Sequence, residues 1–386
     1  MSEWKKVKLD DCLELITYGF TNPMPDTDCG PWKVTAKDIA DGRINYQTAR
    51  HTSIDAFENE LTDKSRPVKG DLLLTKDGTL GRLAIVGDER ICINQSVALL
   101  RVKHDIIYVP YLYYLLSTPL YQGKMLADVG GATIKHIYIT RVNQIAIPCP
   151  SYEEQVRIAT ILSRYDSLIE NYQKQIKLLE EAAQRLYKEW FVDLRFPGHE
   201  NTKIVDGVPE GWERRTLDSF CSVFTGKKNA NQGVVNGKYK FFTCGDTPLL
   251  INSYIFDGPA IIISGNGSYT GRTTFYEGKF DLYQRTYACT MRDMENQNLI
   301  YGLYEIVKCE LTNKISGGTH GAAIPYIVMS DVTKFDFLFN ESVMNSFSTT
   351  IKNFLSISLK FQNKIRLLTE ARDRLLPKLM SGEIAV

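Results

Sequence analysis

The chain has 386 residues, 44% of them hydrophobic and 24% charged, which is the balance of a folded soluble protein with room for two or three cored domains and excludes a disordered one. Its net charge of +1 announces no nucleic-acid binder by itself. No run approaches the ~20 apolar residues of a membrane span, and the start, MSEWKKVKLDDCLEL, lacks the unbroken apolar core of a signal peptide, so the expectation is a cytoplasmic protein. The 8 cysteines are scattered singly, with no CxxC pair and no histidine at ligand spacing, which predicts reduced, mostly buried thiols, no disulfide framework and no metal.

In chain order, WKKVKLDDCLELITYG (4–19) opens the first region. GDLLLTKDGTLGRLAIV (70–86) reads as an apolar strand, a Gly-containing turn, then Gly-Arg and a second strand, and INQSVALLRV (93–102) is strand-like. A helical pattern follows in YVPYLYYLLSTPLYQGKML (108–126), and then a Gly-Gly turn leads into an extended run in GGATIKHI (130–137). Residues 1–150 therefore predict a mixed, mostly stranded globule. From Tyr152 to Val192 the pattern is that of one helix of roughly 40 residues, about 60 Å long at ~1.5 Å per residue and far longer than an average globular helix. The stretch WFVDLRFPGHENTKIVDGVPEGW, from Trp190 to Trp212, is rich in Gly, Pro and polar residues and reads as a linker and entry turn.

The series then starts again. WERRTLDSFCSVFTGK (212–227) resembles the opening segment, GPAIIISGNGSYTGRTTFY (258–276) the Gly-Arg hairpin, LYQRTYACTM (282–291) the strand after it, and GGTHGAAIPYI (317–327) the Gly-Gly run. IRLLTEARDRLLPK (365–378) repeats IKLLEEAAQRLYK (176–188) at a shift of 189 residues. Only two copies exist and each holds a full domain, so the chain is a duplication and not a solenoid. Within 214–240 the basic residues Arg214, Arg215, Lys227, Lys228, Lys238 and Lys240 face only Asp218, which is either a phosphate-attracting patch or a solvated loop.

The first helix carries apolar residues in alternating steps of three and four at Leu162, Tyr165, Ile169, Tyr172, Ile176, Leu179, Ala183, Leu186 and Trp190. The shifted positions are Ile351, Phe354, Ser358, Phe361, Ile365, Leu368, Arg372, Leu375 and Leu379, apolar at all but Ser358 and Arg372. Each seam needs a helix, and each is a natural partner for the other. If the halves are related by a two-fold axis, the helices run antiparallel and hold the globules at opposite ends. The slightly acidic 151–200 and basic 346–386 suit that pairing, though exposed ion pairs contribute only about 0–1 kcal/mol each. The pair is either a plain scaffold or a spacer between two similar ligand sites. DNA offers such sites, because its major-groove faces recur every ~34 Å.

Catalytic constellations are missing. The sequence has no GxxxxGK[ST] phosphate loop, no GxSxG elbow and no HExxH pair, and GNGSYTG (265–271) has the spacing GxGxxxG rather than that of a dinucleotide fingerprint. Nor is there an Asp-Pro-Pro-Tyr type loop for methylating a flipped base. No catalytic residue is assigned.

The helix entry PSYEEQVRIATILSRYDSLIE, then IKLLEEAAQRLYKEWFVDLRFPGHE, then DGVPEGWERRTL, and the C-terminal IRLLTEARDRLLPKLMSGEIAV, together resemble the specificity subunit of type I restriction-modification enzymes. The likeness covers the whole chain in architecture and is specific in the two helices, their entries and the PEGW turn. It implies an α+β fold with two target recognition domains, 1–150 and 212–345, a central conserved helix at 151–195, a linker at 196–211, and a C-terminal conserved helix and tail at 346–386. Each recognition domain would read one half of a split, asymmetric site in double-stranded DNA, and the helices would fix the gap. Two methyltransferase subunits would dock on the helices and two restriction subunits would complete the complex. The chain would bind no cofactor of its own, S-adenosylmethionine, ATP and Mg belonging to those partners.

Base reading needs side chains at groove edges and phosphate contacts for register. The turn residues shared by the halves are the candidates: Lys76, Arg82, Lys135 and His136 in the first domain, and Lys227, Lys228, Arg272 and His320 in the second. Arg82 and Arg272 occupy the same repeat position after Gly81 and Gly271. Two other readings stay open, a coiled-coil adaptor presenting two protein-binding globules and the recognition part of a fused restriction-methylation enzyme.

Overall fold

The computed structural model describes residues 4–127, 136–316 and 326–386, in two compact units: Met1–Asn171 with Lys364–Val386, and Tyr172–Asn363. No helix among the described residues is long and apolar enough to cross a membrane. Each unit opens with the same elements: a strand (Lys5–Lys8; Glu213–Thr216), a 3-10 turn (Leu9–Cys12; Leu217–Ser219) and a second strand (Leu13–Tyr18; Cys221–Thr225). The opening strand pairs antiparallel with the last strand of its globule, Ala146–Cys149 in one unit and Asp336–Phe339 in the other.

In the first unit a four-stranded antiparallel sheet runs in the order Leu13–Tyr18, Val97–Val102, Leu72–Thr75, Leu83–Ile85. Its side chains alternate between two cores: Leu72, Leu74, Ala98 and Leu100 face one, Leu73, Val97 and Leu99 the other, as a strand period of two requires for a sheet covered on both faces. The polar turn Gly87-Asp88-Glu89-Arg90 then breaks the edge strand, which resumes as Ile91–Ile93 in a separate sheet, parallel to Thr27–Val34. The second unit lacks this interruption. Its strand Thr273–Leu282 runs through, pairing antiparallel with Phe256–Ser264 and parallel with Tyr239–Phe242, so the two sheets merge into one of six strands.

The helical stretch at 108–126 is two helices, Val109–Ser117 and Pro119–Leu126. Thr118 ends the first and its Oγ1 accepts from Tyr121 N, while Pro119 takes the first helical position of the second, where no amide hydrogen is needed. In the second unit the corresponding helix, Leu299–Ser316, is uninterrupted.

The two long helices are Tyr152–Tyr187, which continues as a π turn over Lys188–Val192, and Glu341–Met380. Ser151 Oγ accepts from Glu154 N at one start and Asn340 Oδ1 from Val343 N at the other, satisfying amides that a helix end leaves unpaired. In the first unit Ile158, Ala159 and Leu162 share a core with Leu376, Leu379 and Met380, and Asp166 pairs with Arg372 at 2.6 Å. In the second, Tyr172 stacks on Phe361 at 5.0 Å and Phe191 meets Phe347 at 5.0 Å. Advancing along the first helix means retreating along the second, so the pairing is antiparallel within each unit. The expected α+β architecture of two strand-rich domains with long paired helices is borne out. The stretch read as a linker and entry turn contains a hairpin, Ile204–Val205 with Val208–Pro209, whose turn residues Asp206 and Gly207 have φ of +51° and +76°, the signature of a type I′ turn.

Candidate nucleic-acid interface

The Gly-Arg hairpin is built the same way in both units. Thr75 N donates to Arg82 O and Gly81 N to Thr75 O, each at 2.9 Å, and Ser264 N and Gly271 N repeat the pair with Arg272 O and Ser264 O at 3.0 and 2.8 Å. Closing so tight a loop takes left-handed backbone, supplied by Gly78 and Gly81 at φ +76° and +81° and by Gly267 and Gly271 at +84° and +83°. A second segment is stitched to each hairpin, Ile137 N donating to Lys76 O and Ile327 N to Gly265 O, both at 2.9 Å. A third is the turn after Ile93 or Leu282: Lys76 N donates to Ser96 O, and Gly265 N to Arg285 O. The same corner of each domain thus gathers a hairpin tip, a turn and the segment that holds Ile137 or Ile327.

Around the first corner, Lys76 pairs with Asp77 at 2.6 Å and lies 5.2 Å from the Tyr18 ring, while His136 Nδ1 meets the other Asp77 oxygen at 2.5 Å. Burial by itself raises the Asp77 carboxyl, but the hydrogen bonds from His136 and Lys76 outweigh it and leave it below its ordinary value. Arg82 Nη1 donates to Ile39 O at 3.0 Å. In the second unit, Arg272 Nη1 donates to Asp246 O at 2.8 Å and its guanidinium lies 5.3 Å from the Tyr269 ring. Both arginines therefore brace their own loops through a backbone carbonyl. Lys228 is committed to the buried Asp281 at 2.5 Å and to Ser253, whereas Lys227 is exposed. Lys135, His320 and the two Gly-Gly turns lie outside the described residues.

Chemistry of another kind finds little support. Among the described residues no cluster of His, Cys, Asp or Glu is arranged to hold a metal ion. All the cysteines are free thiols, and burial pushes Cys12 up to about 11 and Cys92 and Cys221 up to about 12, the wrong direction for a thiolate nucleophile. The most unusual carboxyl is Glu305, 1% exposed in the wall of a groove of about 740 Å³ in the second unit and missed by sequence reasoning because a single Glu in a helix is unremarked there.

A model of the type I restriction modification DNA specificity domain matches residues 1–181 and again 209–339. The chain belongs to this type I specificity family. The specificity subunit of the type I restriction enzyme MjaIX from Methanocaldococcus jannaschii is 29% identical to it, over 92% of this chain and 87% of the relative. The EcoDI specificity subunit from Escherichia coli is 29% identical over 46% of this chain and 39% of its own length. Among solved structures, a type I restriction-modification system S subunit from M. genitalium covers 98% of this chain and 96% of its own, with a TM-score of 0.65 at 17% identity, a likeness of fold. The match to the family model is double, as the repeat is.

The two long helices present a further surface. Along the seam, Leu162 and Ile351 are fully buried, Leu186 and Phe354 pack on the second unit's core and Leu375 on the first's. Tyr165, Ile169, Tyr172, Ile176, Leu179, Phe361, Ile365 and Leu368 are half-buried. Outside the seam, Leu168, Leu178, Ile357, Leu359 and Leu367 are exposed on the same helices, five large apolar side chains that the heptad pattern does not account for.

Proposed function

We propose that this chain is the non-catalytic, sequence-reading part of a cytoplasmic restriction-modification complex. Residues 1–150 and 212–345 each read one half of a bipartite asymmetric DNA site. The central helix of 151–195, joined to the second domain through 196–211, and the helix and tail of 346–386 set the unread gap and seat two adenine-methyltransferase subunits, through which two restriction subunits attach. S-adenosylmethionine, ATP and Mg enter with those partners, and the chemistry is theirs. The observation that carries this reading is the doubled corner: two domains with the same hairpin, turn and following segment tied by the same backbone hydrogen bonds, but with different side chains on them. Equal scaffolds carrying unequal side chains suit two different half-sites. The exposed leucines and isoleucine outside the helix seam support a docked protein on the helices.

Lys76, Arg82, Lys135 and His136, with Lys227, Lys228, Arg272 and His320, remain the proposed DNA-contacting set. Within it the exposed Lys227 suits a phosphate contact, and Arg82 and Arg272 act first by shaping the loops. With a net charge of +1, part of the attraction to DNA comes from the partners. The test is to reconstitute the chain with its methyltransferase partner and titrate duplex DNA from low to moderate salt. Specific retention that weakens steeply as salt rises is expected. Salt-independent affinity, or no retained duplex, contradicts the reading and favours the adaptor alternative.

A further inference from the structure

The turn in the corner of each unit carries a glutamine at the same position. Asn94–Val97 and Tyr283–Thr286 are tight turns closed by Val97 N to Asn94 O at 3.1 Å and Thr286 N to Tyr283 O at 2.9 Å. Their second residue is Gln95 in one and Gln284 in the other. Glutamine is not among the residues that such turns favour, which are Gly, Pro, Asn, Asp and Ser, so the turn does not explain it. The flanking residues differ, Asn94 and Ser96 against Tyr283 and Arg285. Each glutamine is exposed, and among the described residues neither carboxamide makes a hydrogen bond.

The backbone beneath them is fixed from both sides. Gln95 N donates to Phe20 O at 2.9 Å and Gln284 N to Lys228 O at 3.0 Å, while the next residue accepts from the Gly-Arg hairpin. Gly19 and Gly226 let the neighbouring chain approach, since a Cβ at either would meet the carbonyl of Ile93 or Leu282 at 1.7 Å. The result is a free carboxamide on a stiff support, which is what a reading side chain needs. Near Gln284 in the sequence or through the Gln284 N to Lys228 O bond, Lys227 and Arg285 are exposed cations without an ion pair among the described residues, a charge suited to a phosphate backbone.

We propose that Gln95 and Gln284 are specificity-determining side chains, each offering its amide oxygen and nitrogen as a pair to the N6 and N7 edge of an adenine in the major groove of its own half-site. This rests on the DNA-reading function proposed above. The test maps methylated adenines in cells expressing the chain with its methyltransferase partner, for the unsubstituted chain and for Gln95→Ala, Gln284→Ala and Gln284→Glu. Each alanine variant is expected to lose discrimination by roughly 10- to 100-fold at one A·T pair, in one half only, and in different halves for the two positions. Gln284→Glu is expected to move the preference at that pair towards cytosine, whose N4 amine a carboxylate accepts. An unchanged methylated sequence in both alanine variants, loss spread over both halves, or a uniform loss of methylation at every base overturns the proposal. If the unsubstituted chain itself directs methylation without sequence preference, the underlying DNA-reading function fails and the glutamine assignment with it; a specific parent with unchanged variants removes the glutamines alone.

Discussion

Gly78 and Gly81 share a left-handed backbone but have different surroundings: a Cβ on Gly78 meets nothing within 4 Å, and one on Gly81 meets Gln122 Oε1 at 2.4 Å. Gly78→Ala is therefore expected to cost about 1–2 kcal/mol for the conformation alone, and Gly81→Ala more, because Gln122 also holds Gly81 O and Leu116 O at 2.9 Å and must let go. Equal losses in chemical denaturation would contradict this account of the hairpin. Glu305 offers a second test. Gln122 and Thr312 sit at matching places against Gly81 and Gly271, and seven residues earlier the first unit has the buried Leu115 where the second has Glu305. Burial pushes the Glu305 carboxyl above its ordinary value, Lys308 offsets part of that and Glu180 adds to it. Because the folded state binds its proton more tightly, the stability linked to this group is fully present below the unfolded carboxylate pKa of about 4.3 and is lost as pH rises through the folded value. Glu305→Gln is expected to raise Tm at pH 8 relative to the parent and to change it little at pH 4. The same shift at both pH values would count against a buried, charge-penalised carboxyl. At this scale the sequence marked, through its glycines and Gly-Arg pairs, the two hairpins that the structure builds alike. It did not show that both arginines, though exposed, are held by carbonyls of other segments, because those contacts depend on residues more than 25 positions away in the chain, as Asp246 is from Arg272.

The helices were legible from their period, and the reason is that a buried seam over many turns leaves a repeating apolar pattern. The pattern's two breaks are explained by contacts. Arg372 reaches Asp166, whose other oxygen accepts from Tyr114 Oη, so a charged side chain occupies an apolar position at 28% exposure. A double-mutant cycle on Asp166→Ala and Arg372→Ala is expected to return a coupling of about 1 kcal/mol, and additive losses would show the pair to be incidental. Ser358 is simply small and buried. Ile351→Asp, at 1% exposure, should destabilise the second unit by about 3 kcal/mol or more, while Leu367→Asp, at 49%, should leave Tm within about a degree and weaken assembly with the methyltransferase partner. An assembly as strong as the parent's in the Leu367 variant would remove that face from the docking surface. Beyond the strand-turn-strand unit at each Gly-Arg pair, the strands were legible only singly. That one edge strand splits into Leu83–Ile85 and Ile91–Ile93 while Thr273–Leu282 runs on follows from a four-residue turn, and sheet membership is decided by pairing across the fold, which no local pattern records.

For the whole molecule, the duplication is the main inference, and it holds from residue spacing to backbone hydrogen bonds in each unit. On the function proposed above, two like-built domains carrying different side chains should be modular readers. The most direct measurement replaces residues 212–345 with the second recognition domain of another family member, co-expresses the hybrid with the methyltransferase partner, and maps the methylated adenines across the host genome. One half of the recognised sequence should change and the other half should stay as it was, with the gap between them kept; a change in both halves, or in neither, would contradict the account.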